Sequence, residues 1–124
     1  MLATLLQVAA GGAAGSALRW ALGLAVARVP APGGFPLAVL TVNVLGSFAM
    51  GACAVLAARH GLGHLSPLVM TGLLGGFTTF SAFSLETVAL IERGAAGQAA
   101  LYVALSVGLS VGALALGMQA ARAA

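Results

Sequence analysis

Apolar residues run through this chain in four long stretches separated by short polar breaks. The stretches cover residues 3–27, 36–58, 66–91 and 97–121. Each exceeds the roughly 20 residues that a helix needs to cross a bilayer. Pro30, Pro32, Gly33 and Gly34 punctuate the first break, Arg59 to His64 form the second, and Glu92-Arg93-Gly94 form the third. Pro36 and Pro67 fall near helix starts, where a missing N–H costs little. The pattern predicts an all-α membrane protein with four transmembrane helices, one transmembrane domain over residues 1–124 and no room for a soluble one.

Composition strengthens that picture. The chain is 61% hydrophobic and 6% charged, against about 25% charged in a soluble domain. It has no lysine and no aspartate, and a net charge of +3. Nucleic-acid binding would need basic residues clustered on one face, whereas Arg19, Arg28, Arg59, Arg93 and Arg122 are far apart, mostly near the ends of apolar runs. Met1 to Leu18 lacks the positive start of a signal peptide, so the first stretch reads as a retained span. Cys53 reads as a packing residue. His60 and His64 read as a solvated turn, because Gly61 and Gly63 break the helix that would align them.

Small residues are dense, with 18 glycines. Gly11/Gly15, Gly72/Gly76 and Gly108/Gly112 have the small-xxx-small spacing that lets helices approach closely in lipid. With four spans, Arg59 and Arg122 lie on one side of the membrane and Arg28 and Arg93 on the other. Lys/Arg bias sets orientation, and here it is balanced. The chain is therefore expected to insert both ways round and to pair as an antiparallel, dual-topology homodimer.

Residues 75 to 86 stand apart. Phe77, Phe80 and Phe83 recur at spacing three, interleaved with Thr78, Thr79, Ser81 and Ser84, and Glu86 follows. Gly75 and Gly76 before two β-branched threonines make a poor helix. A break near Gly75–Thr79 would free carbonyls that are good cation ligands; a continuous helix whose threonines bond back to their own carbonyls fits the spacing equally. Asn43 in the second span needs partners in hydrocarbon, as glue or as ligand. Tyr102, Ser106 and Ser110 form one i, i+4 stripe on the fourth. Neutral donors on three spans and the positive edges of phenylalanine rings describe a track for a small anion that must bind and then leave.

Three motifs carry a family resemblance. They are Gly11-Gly12-Ala13-Ala14-Gly15-Ser16-Ala17-Leu18-Arg19-Trp20, Thr41-Val42-Asn43-Val44-Leu45-Gly46-Ser47-Phe48, and Gly72 to Glu86 with its Gly-Phe-Thr-Thr-Phe-Ser core. In this order and over the whole length, the chain resembles the CrcB/Fluc family of fluoride channels. The resemblance implies a dual-topology homodimer in the cell inner membrane that lets fluoride leave passively and so protects the cell. It implies that Phe80 and Phe83 point ring edges at fluoride and that Asn43 donates to it. Ser81, Thr79, Tyr102, Ser106, Ser110 and Glu86 would belong to the polar track, and Arg19 to a vestibule. It also implies a structural Na+ on the dimer axis, held by main-chain oxygens of Gly75 and Thr78. Ala82 departs from the family pattern, which usually has threonine there, so one hydroxyl of the track is missing.

Two other classes compete. A small four-span proton-coupled drug or cation antiporter needs a carboxylate, ordinarily in its first span, where this chain has only Arg19. A non-transporting scaffold would tolerate isoleucine at Phe80 and Phe83. No nucleophile–base pair marks an enzyme.

Overall fold

The computed structural model describes all 124 residues, and every regular element is helical. α1 spans Leu2–Val26 and α2 spans Leu37–His60. The third stretch is composite: a π-helix over Pro67–Leu74 runs into α3 (Gly75–Phe77), the chain turns extended, and α4 (Phe80–Glu92) resumes. α5 spans Ala96–Ala123. Four helical rods thus stand where four were expected. Three of them, Leu37–His60, Gly63–Glu92 and Ala96–Ala123, are long and apolar enough to cross a membrane. α1 has the length, 25 residues, but Gln7, Arg19 and its glycine–alanine run dilute it.

One boundary differs from expectation. Arg59 and His60 form the last turn of α2 and not a loop. Gly61 supplies the stop, with φ of 66°. Arg59 Nη1 then donates to the carbonyls of Ala121, Arg122 and Ala124 at 2.8, 3.3 and 3.2 Å. A cation against the bare carbonyls of a helix C-terminus is favourable, and the contact ties the ends of α2 and α5 together. At the opposite end, the Arg93 guanidinium lies against Gly34 and the Gln98 amide against Gly33. The first and third breaks therefore share one end of the bundle.

α1 packs on the π-helix and α3, and α2 packs on α5. Glycines set both distances. A Cβ at Gly11 would run into Leu68 O, and one at Gly15 into Leu73 O. At Gly76 it would stand 2.7 Å from Gly12 O. Two of the small-xxx-small pairs, Gly11/Gly15 and Gly72/Gly76, face each other here. The third, Gly108/Gly112, meets nothing within 4 Å. Gly51 and Gly117 do its work in the α2–α5 contact, closing on Leu114 O and Phe48 O. Lipid gives helices no hydrophobic incentive to associate. Close backbones gain dispersion instead, at about 0.1–0.2 kcal/mol per atom pair.

Gly75 keeps helical angles (φ −65°, ψ −37°). The break falls just after the glycine pair, at Thr78 and Thr79. Gly76 is used for packing, and the β-branched threonines, which suit extended backbone, make the turn.

Only 17 of 124 residues are buried. Large apolar side chains such as Leu5, Trp20, Phe80, Leu85, Ile91 and Val111 stand on the outside, a surface suited to lipid or to another helix. The densest interior surrounds Leu40, Leu90, Ala99 and Tyr102, with Phe35 and Phe83 against it.

Gly11→Val and Gly51→Val should each destabilise the fold by about 1–3 kcal/mol or more through overpacking. The measurement is the thermal unfolding midpoint in detergent. Gly23→Ala, with open space around Gly23, serves as the control and should leave the midpoint unmoved. Equal midpoints in all three variants would show that these backbones are not in contact.

Candidate functional site

A helix that stops inside a membrane leaves donors and acceptors that hydrocarbon cannot satisfy. Thr78 (φ −79°, ψ 160°) and Thr79 (φ −153°, ψ 127°) are both extended. Asn43 of α2 meets them with both ends of its amide. Its Nδ2 donates to Thr79 O at 2.8 Å, and Thr79 N–H donates to its Oδ1 at 2.7 Å. A side chain here supplies what a neighbouring strand supplies to extended backbone. Nδ2 carries two hydrogens, so one remains uncommitted. Gly46, almost one turn after Asn43, allows the approach: a Cβ there would run into Thr78 Cγ2.

The break also frees carbonyls. In a continuous helix Thr79 N–H would bond Gly75 O; it bonds Asn43 instead. Thr78 O accepts a long bond from Arg19 Nη1 at 3.4 Å. The break is thus held from α2 by Asn43 and from α1 by Arg19.

The hydroxyls divide into two groups. Thr78 Oγ1 donates back to Leu74 O at 3.0 Å, and Ser84 Oγ to Phe80 O at 3.0 Å. Back-bonding and a broken helix therefore coexist in one segment. Ser84 is committed to its own helix. Thr79 Oγ1 caps α4, accepting from Ala82 N–H at 3.1 Å, and shares a hydrogen bond with Ser81 Oγ at 3.2 Å. An N-cap of this kind contributes about 1 kcal/mol.

Aromatic rings continue from the break into the core. Phe80 and Phe83 lie 5.3 Å apart, tilted by 47°. Phe83 and Tyr102 lie 5.3 Å apart at 39°, and Phe35 meets Tyr102 edge-on at 5.7 Å. Phe80 is 77% exposed, whereas Tyr102 is fully buried. The row runs from the outer face of the chain to its centre.

A groove of about 420 Å³ opens beside this row. It brings together Asn43, Thr78, Thr79, Phe80, Phe83, Ser106 and Ser110, all singled out in the sequence. No charged side chain lines it. Ser81, Tyr102, Glu86, Arg19 and Gly75 lie outside its wall. Ser81 joins it through Thr79, and Arg19 touches it through Thr78 O. Glu86 is half-buried on α4. Gly46, Ser47, Met50, Val107, Val111 and Leu114 also line the groove. Helical spacing could have found several of them, since Gly46 and Ser47 follow Asn43 at i+3 and i+4, and Leu114 extends the Ser106–Ser110 stripe.

Tyr102 Oη, Ser106 Oγ and Ser110 Oγ are buried with no hydrogen-bond partner. A buried orphan costs about 1–3 kcal/mol. The three share one helix face, and Ser106 and Ser110 also line the groove, which carries no charge.

The CrcB-like protein, Camphor Resistance (CrcB) family model matches residues 6–118. A protein of Ruegeria sp. (strain TM1040), described as fluoride-specific ion channel FluC, is 66% identical over 122 residues, which is 98% of this chain and 97% of that protein. The protein of the same description from Roseobacter denitrificans is 63% identical over 120 residues, covering 96% and 95%. Another, from Cereibacter sphaeroides (strain ATCC 17029 / ATH 2.4.9), is 52% identical over 122 residues, covering 98% and 97%. A family match over residues 6–118 and relatives this similar along their whole length establish that the chain belongs to the CrcB-like family.

Proposed function

We propose that the chain forms a fluoride-selective channel through which fluoride leaves the cell passively, limiting its toxicity; it is not an enzyme. One observation carries this reading. Asn43, Phe80, Phe83, Ser106 and Ser110 meet in one uncharged groove at the Thr78–Thr79 break, in a chain whose relatives are described as fluoride-specific ion channels.

An ion entering the groove must exchange water for other donors. The uncommitted Asn43 hydrogen and the Ser106 and Ser110 hydroxyls provide them, and Tyr102 continues the stripe along α5. Phe80 and Phe83 offer the positive edges of their rings. The Thr79–Ser81 hydroxyl pair lies alongside, and Glu86 stands toward the end of the track. Fluoride is the smallest and most strongly hydrogen-bonding halide, so it gains most from such donors. With no full positive charge among them, the bound anion is also free to leave. Arg19 adds positive potential at a vestibule.

In this reading α1 is the fourth crossing and the channel sits in the cell inner membrane. The two-against-two arginine balance and the 77% exposure of Phe80 on a single chain support an antiparallel, dual-topology homodimer, in which a second copy covers that ring. A structural Na+ on the dimer axis belongs to the same proposal. Gly75 O, released by Asn43, and Thr78 O are hard main-chain oxygens of the kind that hold Na+. Arg19 at Thr78 O makes a lone chain a poor host for the cation, so oxygens from both copies would be needed. Bound there, the cation would supply a fixed positive charge joining two breaks.

Liposomes containing the purified protein, with voltage clamped by a potassium ionophore, should release fluoride and retain chloride. Equal release of both, or of neither, rejects the reading. Phe80→Ile should lower fluoride flux roughly tenfold, the scale of one lost ring-edge interaction, with the dimer intact; a scaffold would show no such dependence. Reporter tags on the C-terminus should be found on both sides of the membrane in similar amounts, and tags on one side alone would remove the dual topology.

A further inference from the structure

We infer that the polar stripe of α5 begins one turn before Tyr102, at Gln98, and that Gln98 with the Gly33 turn forms the opening of the fluoride pathway at that end of the bundle. The inference rests on the fluoride-channel reading and extends it to a residue outside the groove.

Four buried side-chain polar atoms in this chain have no hydrogen-bond partner: Gln98 Oε1, Tyr102 Oη, Ser106 Oγ and Ser110 Oγ. They fall at successive i, i+4 positions, on one face of one helix. Nothing elsewhere in the chain shares the property. A buried polar group is satisfied by protein or by water, and a water needs two to four polar partners. Four such groups at one-turn intervals provide them, so the stripe suits a hydrated file that runs from Gln98 toward the groove.

Gln98 lies in the first turn of α5, where the first and third breaks meet. Gly33 leaves room for it. Its φ is 62°, and a Cβ there would run into Gln98 Nε2. A side chain at position 33 would thus be strained and would crowd the amide. A half-turn about the last side-chain bond exchanges Oε1 with the NH2 group, which presents donors to an anion on the inner side. Beside it, the Arg93 Nη1 stands 3.0 Å from the Cβ position of Gly34 and adds positive potential.

Gln98→Met keeps the length of the side chain and removes its hydrogen bonding. In liposomes its fluoride flux should fall roughly tenfold, the scale of one lost hydrogen bond to an anion. Its thermal midpoint should hold, because Gln98 Oε1 makes no hydrogen bond within the protein that the variant could lose. A merely structural role predicts the reverse, a lowered midpoint with flux per folded channel unchanged. Solid-state NMR of the unmodified protein in bilayers supplies a second readout, in which water should show cross-peaks to the Gln98 side-chain amide. Undiminished flux in the variant or a dry amide overturns the inference while fluoride release by the unmodified protein stands. Failure of the unmodified protein to release fluoride overturns the channel reading as well.

Discussion

Everything at the site depends on two hydrogen bonds between Asn43 and Thr79. An extended residue inside a membrane must find one donor and one acceptor in fixed relation. Asparagine is short enough to offer both from a neighbouring helix without leaving its own. Because this pair closes the break, Thr79 Oγ1 is free to cap α4, and α4 can start with Phe80 and Phe83 at the groove. Without the pair, two peptide groups would face hydrocarbon, and the third rod would gain by becoming a continuous helix. The groove would then lose its floor.

The second constraint is distance. Asn43 reaches Thr79 only because α2 lies close to the break, and Gly46 makes that proximity sterically possible. Gly51 and Gly117 hold α2 equally close to α5, which brings the Ser106–Ser110 face to the same groove. The glycines thus contribute to the site although no ion meets them. Their role is to let carriers of polar groups stand a backbone's width apart.

Hydropathy and punctuation made the four rods legible, since a lipid-embedded helix must be apolar along its length and its ends must be marked. The polar members of the groove were legible for a similar reason: a hydroxyl or amide in such a span is conspicuous. What was not legible was partnership. Sequence spacing left Asn43 open between glue and ligand, and its reciprocal bonds to Thr79 give it the first of those tasks with one hydrogen to spare. Glycines drew attention at 75 and 76, yet the backbone opens at the threonines, because a small residue permits both a turn and a close contact and only the neighbouring helix decides between them. The same ambiguity hid Gly51 and Gly117, which stand in the α2–α5 contact, whereas Gly108 and Gly112 share the small-xxx-small spacing and meet nothing. Apolar lining residues such as Val107 and Val111 were invisible, being indistinguishable in sequence from those that face lipid.

The π-helix at Pro67–Leu74 has a bearing on how such a chain can change over generations. Each α-helical residue turns the side-chain direction by about 100°; in the wider π-turn the advance is smaller, and the lag accumulates through the segment's eight residues. Leu68 O meets Gly11 near the start of the segment, and Gly72 and Gly76 meet α1 near and beyond its end, so this lag sets how the two ends of one contact face are phased. The segment behaves as a phase adjuster. A single-residue deletion there would barely shorten the rod, but it would rotate the Gly76 contact and the break beyond the segment against the residues before it. Side-chain replacements in the segment, Gly72 excepted because α1 lies against it, should therefore accumulate in descendants far more freely than changes in its length.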